Sequence, residues 1–347
     1  MSARVIKIAA IQMDANPAPP LERLVRARRL VVQAAGAGAQ LVVLPELFNT
    51  GYSYSNENYR CAEPVSGQTA AWIRDVAARL NIYLAGSLML LDGNDVYNAL
   101  LLFAPDGSYW RYDKNFPWGW ERAYFRKGQS IQVAQTGLGD IGMLLCWDSA
   151  HPKLWRRYAG QVDLILTCSC PPDVSNPRYF FPDGTVFNFD DLGPMMAKLK
   201  GSASKVFNEM LSQQTAWLGV PTVNTVGCGR ITTAIPNPRA SLFTLAATAP
   251  RMFKYLPQAE QLKMSCEFVQ GCKILDERGQ TLAELFQEDG EGFTLAEVSL
   301  AEKKPVPVGS QPPPPIPPLT YLVSDVVLPW LSIPVYRRGM QHLCVSQ

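Results

Sequence analysis

Short runs of consecutive apolar residues, each stopping abruptly on a residue with chemistry to offer, constrain this chain more than any other feature. Leu41-Val42-Val43-Leu44 stops at Pro45-Glu46, Gly142-Met143-Leu144-Leu145 stops at Cys146, and Leu164-Ile165-Leu166 runs into Thr167-Cys168. Runs of this length bounded by breakers read as buried strands. Val5 to Gln12 is β-branched and bounded by Asn16-Pro17, which adds a strand at the start. Between these runs, Leu24, Val25, Leu30, Val31 and Ala34 recur at helical spacing until Gly36 and Gly38 stop them. Gln68 to Leu80, Pro152 to Tyr158 and Lys198 to Leu218 also read as helices, and Ile82 to Leu90 and Val96 to Phe103 as neighbouring strands. Pro221 to Val226 and three short segments between Gly271 and Val298 complete the expected strands. Strands alternating with helices, followed by a strand-rich close, predict an α/β fold with a mixed sheet or two sheets.

Two regions break the rhythm. Pro171 to Pro194 is aromatic, rich in proline and without period, so it reads as an insertion or long loop. From Pro305 the chain carries the run Pro312-Pro313-Pro314-Pro315, which favours extended polyproline II, and then the apolar stretch Leu319 to Tyr336, interrupted by Asp325, Pro329 and Pro334. We divide the chain into a main domain, 1–304, with an insertion at about 171–194, and a proline-rich arm, 305–347. With 347 residues, a sizeable core can form.

Composition removes several classes of function. The net charge of +2 offers no basic excess for phosphate, so no nucleic-acid partner is expected. Eight cysteines with no Cys-x-x-Cys pair are too sparse for a disulfide scaffold. The two histidines, His151 and His342, nearly exclude a His-rich metal site, and neither a His-Glu-x-x-His pattern nor a Walker-type phosphate loop occurs. No metal and no cofactor are expected. The apolar start is too short for a signal peptide, and no stretch of about 20 apolar residues is free of proline and charge, so a cytoplasmic location is the expectation.

Three segments carry candidate chemistry. Glu46 stands directly after a strand, where α/β sheets build their sites and where burial would make a carboxylate a better base; a strand-ending Glu in water is the plain alternative. Tyr112 to Phe125 reads mostly as a surface loop with aromatic anchors; the alternative is a pocket lined by Lys114 and Glu121 and walled by Trp118 and Trp120. Cys146 stands where a strand turns into a helix, a position that favours thiolate, although buried cysteines are commonly inert.

Taken together these segments resemble the nitrilase superfamily of carbon–nitrogen hydrolases. The resemblance lies in Leu44-Pro45-Glu46-Leu47-Phe48 with Thr50-Gly51-Tyr52, in Tyr112-Asp113-Lys114 through Glu121-Arg122-Ala123-Tyr124-Phe125, and in Gly142 to Asp148 with Pro152. It runs from about Arg4 to Lys303. It implies an α-β-β-α sandwich and a Glu–Lys–Cys triad on Glu46, Lys114 and Cys146, with Glu121 as an additional glutamate that positions groups and manages protons. Tyr52, Trp118, Trp120, Trp147 and Asp148 become the candidate substrate-binding residues. His151 is read as a structural residue of the pocket rim.

The implied activity is hydrolysis of a non-peptide carbon–nitrogen bond through a cysteine thioester, with a small-molecule amide as the favoured substrate. A nitrile or N-carbamoyl substrate, acyl transfer from the same thioester, and a non-catalytic binding module are the alternatives. Many family members carry a histidine two residues after the lysine, where this chain has Phe116. The 171–194 segment is expected either to cap the pocket or to act as a passive surface or oligomer contact. The apolar residues of the arm, Leu319, Tyr321, Leu322, Val326, Val327, Leu328, Trp330 and Leu331, are expected to join two subunits in a homodimer or larger assembly, with membrane-surface contact, suggested by Arg337 and Arg338, as the less favoured reading.

Overall fold

The computed structural model describes residues 4–173, 177–269, 271–307 and 309–345, with side chains up to Gln341. Residues 174–176 of the expected insertion, and the side chains of His342 and Cys344, lie outside it. The first strand, β1 (Arg4–Asp14), organises the first sheet. It pairs in parallel with β2 (Leu41–Val43), setting Ala10 opposite Val43, and antiparallel along its length with the late strand Gly292–Leu300. β2 continues in parallel to β3 (Tyr83–Asp92), and β4 (Asp95–Phe103) and β5 (Tyr109–Asp113) follow as antiparallel neighbours.

The second sheet holds β6 (Val133–Thr136), β7 (Gly139–Leu145), β8 (Leu164–Ser169) and the strand Thr222–Cys228, the last three parallel. The strands Lys273–Leu275 and Thr281–Glu284 extend its far side. The sheets meet where Met13 and Asp14 pair with Gly227 and Cys228.

The apolar runs explain this layering. Residues that point one way along the strands form a core between the sheets: Ile8, Val43 and Leu102 face Met143, Leu166 and Val223. Residues that point the other way meet helices. Ile11, Val42 and Leu84 pack on Leu30, Val31 and Ile73 of the helices Pro20–Gly36 and Gln68–Leu80. Leu144 and Ile165 pack on Trp155, Tyr158 and Leu211 on the opposite side. The result is a four-layer α-β-β-α sandwich, as the resemblance implied.

The described part of the 171–194 segment contains strands. Its pieces Arg178–Phe180 and Val186–Phe187 join Arg230–Ala234 and Lys263–Glu267 in a separate four-stranded antiparallel sheet. The helix expected at 198–218 starts at Ser202 and runs to Leu218 through a widened turn at Val206–Met210.

The arm carries a helix on which the sequence reading was silent. After the proline run it forms one continuous helix from Pro318 to Val345. Pro329 is accommodated because a π-type turn at Leu322–Val327 precedes it, easing the crowding a proline ring imposes on the preceding turn. The stretch Pro318–Gln341 is by length and composition apolar enough to cross a bilayer, although it carries prolines 318, 329 and 334, Asp325, Arg337 and Arg338. Here it lies on its own chain. Leu328, Leu331 and Tyr336 are buried. The Tyr336 hydroxyl donates to Asp95 at 2.8 Å and accepts from the Val96 amide at 3.1 Å.

Gly339 lets this helix lie flat on the buried ring of Tyr59, because a Cβ there would enter the ring. Gly339→Val is therefore expected to lift the helix. Limited proteolysis should cut within 318–345 at least tenfold faster than in wild type, while far-ultraviolet circular dichroism keeps the sheet signal.

Candidate active site

Parallel strands that end together place their following residues together. β2 runs into Glu46, β5 into Lys114, β7 into Cys146 and β8 into Cys170, all at the same end of the two sheets. Each of the first two turns is pinned. The Lys114 amide continues the ladder to the Asn98 carbonyl at 3.0 Å, and Leu47 N–H donates to Ser87 Oγ at 2.9 Å. Leu47 and Cys146 have φ of 51° and 49°. Left-handed backbone at a branched or bulky residue is strained and persists only where surrounding contacts impose it. Both strained residues sit where a strand breaks to present a side chain.

Lys114 is fully enclosed, and its ammonium lies between two carboxylates. Nζ is 2.8 Å from Glu46 Oε1 and 2.7 Å from Glu121 Oε2. Asn98 Nδ2 also donates to Glu46 Oε1 at 2.7 Å, and the Cys170 amide donates to Glu46 Oε2 at 2.8 Å. Glu121 accepts from the Tyr52 hydroxyl at 2.5 Å and from the Trp118 amide at 2.9 Å.

Burial governs the proton affinities here. It pushes Glu121 up to about 7, against the pull of Lys114 and with the push of Glu46. Burial alone would push Lys114 down, but the negative charge available from Cys146, Glu121 and Glu46 holds it well above its usual range. The Cys146 thiol is raised, first by burial and then by Glu46, while Lys114 and the Cys170 main chain pull it down. An enclosed thiol, a fixed ammonium and a carboxylate with a proton-accepting oxygen can together run nucleophilic chemistry with general-base assistance.

Cys146 is only 4% exposed, yet it lines a cavity of about 370 Å³. Tyr52, Trp118, Trp120, Glu121 and Trp147 line it too. Glu46 and Lys114 sit behind this surface. The segment 171–194 supplies Tyr179 and Phe189 to the wall, so it covers the cavity, and the arm helix supplies Leu319, Val323 and Val327.

Asp148, expected at the substrate, has another place. It is fully buried, is absent from the cavity lining, and accepts from Tyr112 Oη at 2.7 Å and from the Phe116 amide at 2.7 Å. It ties the turn after Lys114 to the turn after Cys146. Burial raises its carboxyl to about 6. His151 also lies off the cavity. It stacks on Phe116 with ring centroids 3.6 Å apart, and burial lowers it to about 3, which keeps it neutral.

Sequence reasoning missed Asn98, Ser87 and the main-chain N–H of Cys170. Asn98 had a visible signal, a polar residue inside the apolar strand Val96–Phe103; the Cys170 contribution is a main-chain N–H and has none. Among the described residues no group of three or more His, Cys, Asp or Glu is arranged to hold a metal ion.

A sequence profile described as Carbon-nitrogen hydrolase matches residues 7–307. The chain belongs to the carbon–nitrogen hydrolase family. The chain is 31% identical over 159 residues to a nitrilase from Pyrococcus abyssi, covering 45% of this chain and 61% of that one. It is 30% identical over 164 residues to an omega-amidase from Danio rerio, covering 44% and 58%. The chain thus spans about three-fifths of the length of these curated relatives. Its fold matches an amidase from Nesterenkonia sp. with a TM-score of 0.61 at 20% identity, covering 86% of this chain and 92% of that one. A carbon-nitrogen hydrolase from Helicobacter pylori gives 0.62 at 18% identity, with coverage of 85% and 89%.

The raised carboxyl of Glu121 has a thermodynamic consequence. Between its unfolded value near 4.5 and its folded value of about 7, the folded chain keeps a proton that the unfolded chain has released. Stability from this group is full below the lower value and declines as pH rises through the window. Relative to wild type, Glu121→Gln is expected to remove a downward slope on the order of a few kcal/mol between pH 4.5 and 7. Chemical denaturation at stepped pH measures it, and parallel curves for the two proteins contradict it.

Proposed function

We propose that this family member hydrolyses an amide through a thioester on Cys146. The observation that carries the reading is the enclosed Lys114 ammonium clamped by Glu46 and Glu121 behind a cavity whose surface presents Cys146. Glu46 takes the thiol proton through Oε2, the oxygen that has only the Cys170 amide as a described partner. The thiolate attacks the amide carbon and the carbonyl oxygen becomes an oxyanion. Lys114 and the Trp147 main-chain N–H stabilise that charge. Glu46 returns the proton to the leaving nitrogen, the C–N bond breaks, and the thioester remains. Water, deprotonated by Glu46, then adds to the thioester, and the acid and the thiol are released. Glu121 holds Lys114 in place from the far side. Because Glu121 lines the cavity, it also faces the substrate.

A nitrile is the second reading, favoured by the identity to curated nitrilases. A panel of amides, N-carbamoyl compounds and nitriles, read by ammonia release, separates the two. Cys146→Ala is expected to abolish turnover, and Glu46→Gln to lower kcat by about 10²–10⁴ with KM less affected. Retained ammonia release by Cys146→Ala contradicts the proposal.

The pH dependence follows from the clamp. Below about 7 Glu121 is protonated and its hold on Lys114 is weakened; above about 7 it is ionised and the clamp is complete. Activity is expected to rise with pH through about 7. Glu121→Gln should flatten that limb at a lower plateau, which a kcat–pH profile checks.

We also propose that the outward strip of the arm helix, Val326 and Trp330, pairs two copies of the chain. These residues are exposed, Trp330 at 72%, although the inner face of the helix is already occupied by its own domain. Sedimentation equilibrium should give a dimer for wild type and a monomer for Trp330→Glu.

A further inference from the structure

The cavity in front of Cys146 is chemically one-sided. At its Cys146 end it carries Glu121 and the Tyr52 hydroxyl. Beyond that end the walls are Phe189, Leu199, Phe207, Leu245, Val323 and Val327. No Lys, Arg or His is among the described lining residues.

The hydroxyls on these walls are largely spent on the protein itself. Ser241 Oγ donates to the Pro236 carbonyl at 2.7 Å and accepts from Trp120 Nε1 at 3.2 Å. Thr244 and Thr248 donate to carbonyls of their own helix at 3.0 and 2.8 Å, and Ser202 and Thr320 bond each other at 3.1 Å. A carboxylate carried into this space would lose its water and meet no cation, which strongly disfavours it. A hydrocarbon chain meets favourable surface throughout.

The way in is apolar as well. Met195 and Leu322 both line the cavity and are 50% and 51% exposed, so they flank its mouth. A cavity of about 370 Å³ lies in the range of pockets that enclose small organic ligands, so an acyl chain of several carbons fits it.

We infer that the substrate is the amide of an uncharged aliphatic acid of medium chain length. Its carbonyl stands at Cys146, and its chain runs beneath the arm helix toward Met195 and Leu322. The inference rests on the hydrolase reading and adds to it the class of acyl group. It sets this cavity apart from one built for an acid that bears a second carboxylate.

The test is a series of primary amides from acetamide to dodecanamide, with ω-carboxylated amides of matching length and N-decylacetamide as controls. Ammonia release, or decylamine release for the last, gives kcat/KM, and calorimetric titration of Cys146→Ala gives binding without turnover. The expected result is a rise of at least 100-fold in kcat/KM from acetamide to a maximum near decanamide. The ω-carboxylated counterpart should be at least 100-fold poorer, and Thr248→Lys should narrow that gap at least tenfold.

Best turnover of the shortest amides, equal use of the carboxylated chain, or preference for N-decylacetamide overturns the inference and leaves the hydrolase reading standing. Decanamide binding to Cys146→Ala without turnover of any amide by wild type supports the acyl-chain cavity and overturns amide hydrolysis. Neither binding nor turnover overturns both.

Discussion

One buried ammonium sets the terms for everything around it. An isolated charge in the interior is strongly disfavoured, and it is tolerated here because two carboxylates and their own donors surround it. Lys114 needs Glu46 and Glu121; Glu46 needs Asn98 and the Cys170 amide; Glu121 needs Tyr52 and the Trp118 amide. These partners come from both sheets and from the loops between them, so the charge cluster forms only when the sandwich has closed. Breaking such a pair on one side leaves the remaining charge uncompensated, which is why single substitutions here act on stability and chemistry together.

The sandwich supplies the closure. Parallel pairing fixes which residues emerge level at the strand ends, and left-handed backbone at Leu47 and Cys146 turns the chain sharply where a side chain has to be presented. Asp148 braces the arrangement by receiving amides from the turns after both Lys114 and Leu144. A carboxylate that receives main-chain donors from two loops fixes their separation, and with it the distance between the ammonium and the sulfur.

Much of this was legible in the residues. Continuous apolar runs announced the buried strands, and the residues that ended them, Glu46 and Cys146, are among those the fold gathers. The reading failed where side-chain direction matters more than position. Asp148 neighbours the cysteine in sequence but points away from the cavity, and spacing along a chain does not determine where a side chain turns. It was silent where several weak preferences add up. The arm's apolar stretch is interrupted by prolines 329 and 334, and one widened turn and packing on Tyr59 and Asp95 accompany the long helix it forms. The stretch 230–262 has no simple period, and it forms strands and helices because it packs against the 171–194 segment and the arm.

Apart from Tyr52, Trp118, Trp120, Glu121, Cys146 and Trp147, the cavity lining comes from three stretches, 171–207, 241–248 and 319–328, and no described residue of these belongs to a strand of the large sheets. Glu46, Lys114 and Cys146 stand at strand ends of the sandwich; most of the cavity wall in front of Cys146 stands on additions to it. Lineages can therefore redraw the guest list by altering those additions while the machinery beneath stays unchanged. Divergence of diet without divergence of chemistry is the evolutionary signature this division of labour should leave.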